Sequence, residues 1–267
     1  MKSIHLVSKL IAVVAVALAS VSANAALTYW TDWTGSDLDP GLGFQAQGTI
    51  PTADPVTVTY SNAQGVRFYQ TGGGSETDWW TNGRSSRDAS TSPYTSAAVD
   101  NIPTDTDIIG LQYAGDQTLT FSQTIANPVF AFVSLNANGY AFLNQDFEIL
   151  SLACVDGNDQ GWWGCGNAGK IVVDLGGGNF EYQLVANNSP SIGTEPHGVI
   201  RFAGAFDNLT WRSLTDESWN GFTVGVEGRA VDIFPDDPPT NNVPEPLTLA
   251  LLVLGVASLA AARRRRG

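Results

Sequence analysis

The sequence predicts an all-β protein, an antiparallel β-sandwich of the jelly-roll kind flanked by an N-terminal signal peptide and a C-terminal transmembrane helix. Three observations carry this. Apolar residues recur at every second position in short runs separated by Gly, Asn, Asp and Pro, the pattern of half-buried strands. Glycine supplies 26 residues between Ala26 and Val243, as many short strands joined by turns require. Uncharged apolar stretches stand at the two ends of the chain.

At the N-terminus, Lys2 and Lys9 precede the apolar stretch Leu10 to Ala19, and Ala23-Asn24-Ala25 supplies an A-x-A cleavage site. This is the build of a secretory leader over residues 1–25, with the mature chain starting at Ala26.

The runs of the body follow in order. Val56, Val58 and Tyr60 form one, and Val66 and Phe68 begin the next after the Asn62-Ala63-Gln64-Gly65 turn. Leu119 and Phe121, Phe130 and Phe132, and Phe147 and Ile149 come next. Phe180, Tyr182 and Leu184 follow, then Ile200 and Phe202, Leu209 and Trp211, and Phe222, Val224 and Val226. Nine or ten strands at this spacing predict a single sandwich domain over 26–231. "QTGGGSETDWWTNGRSSRDASTSPYTS" has few strand formers and is read as a long loop. The Pro- and Asp-rich 232–242 is read as a linker.

At the C-terminus, residues 247–262 carry no charge and are followed by Arg263, Arg264, Arg265 and Arg266. Sixteen residues make roughly 24 Å of helix, a little short of a hydrocarbon core of about 30 Å. Snorkelling of the first arginine and local thinning of the bilayer close the gap. Arginines stay on the cytoplasmic side, which places the body outside. Val243-Pro244-Glu245-Pro246 precedes the span, and its prolines hold Val243 and Glu245 extended. This order over 243–267 resembles the PEP-CTERM sorting signal of exported Gram-negative bacterial proteins. The resemblance implies recognition at Pro244, Glu245 and Pro246 by exosortase, a membrane-embedded transpeptidase-like enzyme, after signal peptidase has removed the leader. It further implies transient anchoring in the inner membrane, then a place at the cell surface or in the extracellular matrix of a biofilm. It identifies an address and leaves the activity of the body open. From about Leu111 to Glu227 the order of features also resembles, diffusely, lectin-like β-sandwich bodies, which implies an extracellular polysaccharide as partner.

Between Ala26 and Val243 there are 25 acidic and 7 basic residues, and Lys170 is the only lysine. Such a body has no basic patch for nucleic acid or an anionic membrane surface. Its tryptophans and branched apolar residues argue against disorder. Cys154 and Cys165, the only cysteines, are expected to form a disulfide in an oxidising compartment. With His197 alone beside them they make too few ligands for zinc.

Trp79-Trp80 and Trp162-Trp163 are the candidate glycan-binding residues. Neighbours on an extended chain point to opposite faces, so one ring of each pair stays available to stack on a sugar. The plainer alternative is that these rings pin long loops to the body. Asp156, Asn158 and Asp159 imitate part of a calcium loop, but Gln160 and Asn167 stand where ligands are needed. A self-stabilised turn is the better reading, and no cofactor is expected. Gly164-Cys165-Gly166-Asn167-Ala168-Gly169 fits G-x-G-x-x-G, but the strand-like "KIVVDL" follows it where a helix is required. No familiar hydrolase or nucleotide-binding motif occurs. The expectation is therefore a non-catalytic protein. A glycoside hydrolase built on two carboxylates, or a purely structural matrix protein, are the alternatives.

Overall fold

The computed structural model describes residues 27–35, 43–73, 75–81, 88–136, 138–155, 164–186 and 195–227. The predicted leader, linker, sorting signal, membrane span and arginine cluster lie outside the described residues. Among the described residues no helix is long and apolar enough to cross a membrane.

The body is all-β, and its strands form two antiparallel sheets packed as a sandwich. The first sheet runs in the order β10 (Phe147–Leu152), β13 (Gly198–Phe202), β8 (Val129–Val133), β15 (Asn220–Val226), β6 (Ile108–Leu111) and β5 (Phe68–Gln70), with β1 (Tyr29–Trp30) also paired to β15. The second runs β11 (Ala168–Gly176), β12 (Asn179–Ala186), β9 (Gly139–Leu143), β14 (Ala205–Ser213), β7 (Gly115–Ala126), β4 (Val56–Asn62), β3 (Phe44–Ile50) and β2 (Asp32–Trp33).

Alternation builds the second sheet. In β4 the buried residues Val56, Val58, Tyr60 and Asn62 alternate with partly exposed ones, and β3 repeats this with Phe44, Ala46, Gly48 and Ile50. These inward residues meet the first sheet in an aromatic core. Phe130 of β8 stacks on Phe222 of β15 at 5.0 Å, and Trp211 of β14 meets Phe222 edge-on at 5.0 Å. Tyr60, Asn62 and Gln117 bring polar groups into this core and pair with one another, as burial demands. Tyr60 donates its hydroxyl hydrogen to Gln117 Oε1, and Asn62 Nδ2 donates to the same oxygen at 2.8 Å.

The central strands of the first sheet do not alternate. Every residue of β8 and of β15 is buried, because the outer face of this sheet is also covered. Trp80, Tyr94 and Val99 come from the segment between β5 and β6 and form a second cluster with Trp30, Ile108, Val129, Ala131, Val133 and Val199. The long polar segment predicted as a loop is thus, where described, a third layer. Trp80 and Tyr94 of that segment are its anchors on the sheet.

Cys154 and Cys165 form a disulfide with Cα atoms 5.5 Å apart. Gly164 forms an isolated bridge and β11 begins at Ala168, so the G-x-G-x-x-G stretch leads into a strand.

Candidate functional site

Trp79 and Trp80 sit in a single 3₁₀ turn, Trp79–Thr81, instead of on extended backbone. Asp78 sets the turn: its Oδ1 accepts from Trp80 N at 3.0 Å and its carbonyl from Thr81 Oγ1 at 2.9 Å. The two rings part company. Trp80 is 1% exposed, donates Nε1–H to the Asp107 carbonyl at 3.0 Å, and packs edge-on to Tyr94 at 5.1 Å. It pins the cover to the sheet, so the proposed sugar-stacking role fails for Trp80 on access alone. Trp162 and Trp163, and the calcium candidates Asp156, Asn158 and Asp159, lie outside the described residues.

Trp79 remains half-buried at the surface. Its Nε1–H donates to Gln70 Oε1 at 2.9 Å, and Gln70 Nε2 donates to the carbonyls of Thr77 and Thr106 at 2.8 and 3.1 Å. The indole is thereby oriented by a side chain that is itself fixed on β5. Its neighbour is Trp219, half-buried just before β15, with ring centroids 5.0 Å apart at 49°. Phe68 of β5 supports both, at 5.2 Å from Trp219 and 6.2 Å from Trp79. Trp219 was missed by the sequence reading, since only the pairing of β5, β6 and β15 brings it beside Trp79. A groove of about 580 Å³ opens elsewhere, between the cover at Ala89 and Thr95 and Leu150 of β10. Neither Trp79 nor Trp219 lines it.

Two acidic side chains stand close in sequence to β6 and to Trp219. Asp107, at the entry to β6, is 2% exposed and accepts from Trp33 N at 3.2 Å through Oδ1. Burial pushes its carboxyl up to about 7; the Trp33 N–H opposes this, while the charges of Asp32, Asp105 and Glu76 add to it. Glu217, two residues before Trp219, is raised to about 8, first by burial. Asn220 and the Asn136 N–H oppose that shift and the Glu195 charge adds to it. Glu217 Oε2 accepts from Asn136 N at 3.1 Å, and Glu195 Oε2 accepts from Ser134 Oγ at 2.6 Å. Both carboxylates therefore hold the chain leaving β8.

His197 is fully buried, with Nδ1 2.8 Å from the Glu195 carbonyl oxygen and its ring against Tyr94 at 6.1 Å. Among the described residues no group of three or more His, Cys, Asp or Glu side chains is placed to hold a metal ion.

Residues 242–266 match the PEP-CTERM protein-sorting motif, which marks exported proteins sorted to the cell surface. The match covers the tail and assigns the body to no family. Neither the curated proteins nor the solved structures contain a match to the chain.

Proposed function

We propose that this is an exported protein, processed by exosortase and placed at the cell surface or in the extracellular matrix, whose jelly-roll or lectin-like body binds polysaccharide without turning it over. The sorting motif over 242–266 supports the address. The observation that carries the binding reading is the pair of half-buried indoles, Trp79 and Trp219, held 5.0 Å apart against Phe68 of β5. Pyranose C–H groups pack on such π faces, while nearby polar groups take the hydroxyls. The indoles are oriented by strand residues, so little side-chain entropy is lost on binding.

The experiment is retention of the protein on polysaccharide from the producing cells, compared with Trp79→Ala and Trp219→Ala. Each variant is expected to lose at least about tenfold in affinity while keeping its thermal transition within a few degrees. Equal retention by both variants removes the site.

One observation favours a second reading, a glycoside hydrolase. Glu195 and Glu217 both engage the 134–136 segment, and burial raises the Glu217 carboxyl to about 8, as a general acid requires. Glu195 through Oε2 and Glu217 through Oε2 bind that segment, which favours a structural role. Release of reducing ends by the protein, abolished in Glu217→Gln, would establish the hydrolase instead.

A further inference from the structure

β11 is an open edge of the second sheet. Eight of its nine residues pair with β12 on one side and, among the described residues, the strand pairs with no other on the opposite side. At the opposite edge of the same sheet β2 has only two residues, and β5, at an edge of the first sheet, has three. The hairpin carrying β11 is apolar on its surface. Ile171, Val172 and Leu175 of β11, Phe180 of β12 and Leu143 of the adjoining β9 are all exposed. A long edge of this kind is a template for another strand.

The occupant is indicated by charge and symmetry. β11 spans Ala168–Gly176, with Val172 at its midpoint. Lys170 and Asp174 stand two residues either side of Val172, and both point to the face shared with Val172. When two such strands run antiparallel about a two-fold axis at Val172, each Lys170 lies opposite Asp174 of the second copy, and Ile171 lies opposite Val173. A slip of one or two residues in either direction leaves both charges opposite uncharged residues. Opposite-charge pairs across a ladder stabilise it, so one register is selected. The rest of the body, with 25 acidic and 7 basic residues, repels its own copies; the single lysine of the body lies on this edge.

Lys170 already donates to Asp146 Oδ1 and the Phe147 carbonyl, each at 2.8 Å. These contacts fix its stem beside Phe147 and leave one of its three ammonium hydrogens for the second copy. The register shift between Asp174 and Gly176 ends the flat stretch, so pairing does not run past the hairpin.

We propose that two copies of this chain associate through β11, joining their second sheets into one continuous sheet about a two-fold axis at Val172. The interface is isologous, so it closes at two copies.

The test uses the full chain in detergent, with its native disulfide intact. Val172→Cys places two thiols across the axis at strand-pair distance, and mild oxidation is expected to give a covalent dimer on a non-reducing gel. Adding Asp174→Lys opposes like charges and should lower the yield at least about tenfold. Adding Lys170→Asp to that chain restores opposite pairing and should restore the yield. Absence of the Val172→Cys dimer, a yield indifferent to Asp174→Lys, or failure of the exchanged pair to restore it in a protein with an unchanged thermal transition would each overturn the proposal. Should the exchanged pair not fold, Asp174→Asn, which removes one charge and adds none, must give a yield between those of the parent and Asp174→Lys; any other order overturns the proposal.

Discussion

Replacing Asp107 by Asn should stabilise the protein at neutral and alkaline pH and leave it unchanged in acid. The carboxyl is buried beneath the cover, accepts one backbone N–H, and feels the charges of Asp32, Asp105 and Glu76. Its ionised form is therefore disfavoured in the fold, and its value rises from 3.8 to about 7. At about 1.4 kcal/mol per unit, three units correspond to on the order of 4 kcal/mol against the folded state once the group ionises. Relaxation and water penetration reduce this, and about 2 kcal/mol is a reasonable floor. The sign follows from linkage. With the folded value raised, the folded protein holds a proton that the unfolded chain has lost, so stability is full below about pH 4 and falls as pH rises through about 7. Asparagine keeps the Oδ1 acceptor for Trp33 N and carries no charge. For a body of this length, about 2 kcal/mol moves the transition by about 4–8 °C. Thermal unfolding followed by near-ultraviolet circular dichroism at several pH values should show Asp107→Asn melting that much higher at pH 8 and level with the parent at pH 4. A difference between variant and parent that does not change with pH would refute the reasoning.

Truncating Trp80 to Ala should cost about 3–5 kcal/mol, because a fully buried indole leaves a cavity under the cover; chemical denaturation would measure it, and a loss below about 1 kcal/mol would contradict its role as anchor. Reducing the Cys154–Cys165 disulfide should remove about 3 kcal/mol of loop-closure stabilisation. That is seen as a fall in melting temperature with reductant and as no fall in a Cys154→Ser/Cys165→Ser protein. Replacing Pro244, Glu245 and Pro246 together by Ala should block processing, so that a chain still carrying Arg263 to Arg266 accumulates in the membrane fraction, detectable by mass spectrometry of its C-terminal peptides.

The strands legible in the sequence were those with one wet face. Val56, Val58 and Tyr60 alternate with threonines because β4 has the core on one side and solvent on the other. The run Val129–Val133 gave a strand too, but its continuous burial depends on a cover contributed from residues between β5 and β6. The anchors of that cover, Trp80, Tyr94 and Val99, are spaced with no period, so neither helical nor strand patterning marks them. Two strands of two residues each, β1 and β2, were below the reach of any periodic signal. They place Trp30 under the cover and Trp33 in the core, although only two residues separate them. The expectation that at most one tryptophan of the pair 79–80 enters the core rested on extended backbone; the backbone is a 3₁₀ turn, with Trp80 buried and Trp79 partly buried against the same cluster. The companionship of Trp79 with Trp219 depends on strand order in the first sheet, which local sequence does not encode.

The cover explains how the proposed binding patch is held in place on a polar segment. Trp79 belongs to the same turn as Trp80, so the buried ring fixes the backbone from which the surface ring projects. Gln70 then fixes the surface ring from below. Anchoring and surface display are thus divided between adjacent residues: loss of Trp80 is expected to disturb the position of Trp79, whereas loss of Trp79 should leave the anchor in place. Asp107 acts on the same joint from the sheet side, since its carbonyl receives the Trp80 indole while its carboxyl opposes burial under neutral conditions. The fold is therefore expected to be most stable in mild acid and to lose stability as Asp107 ionises.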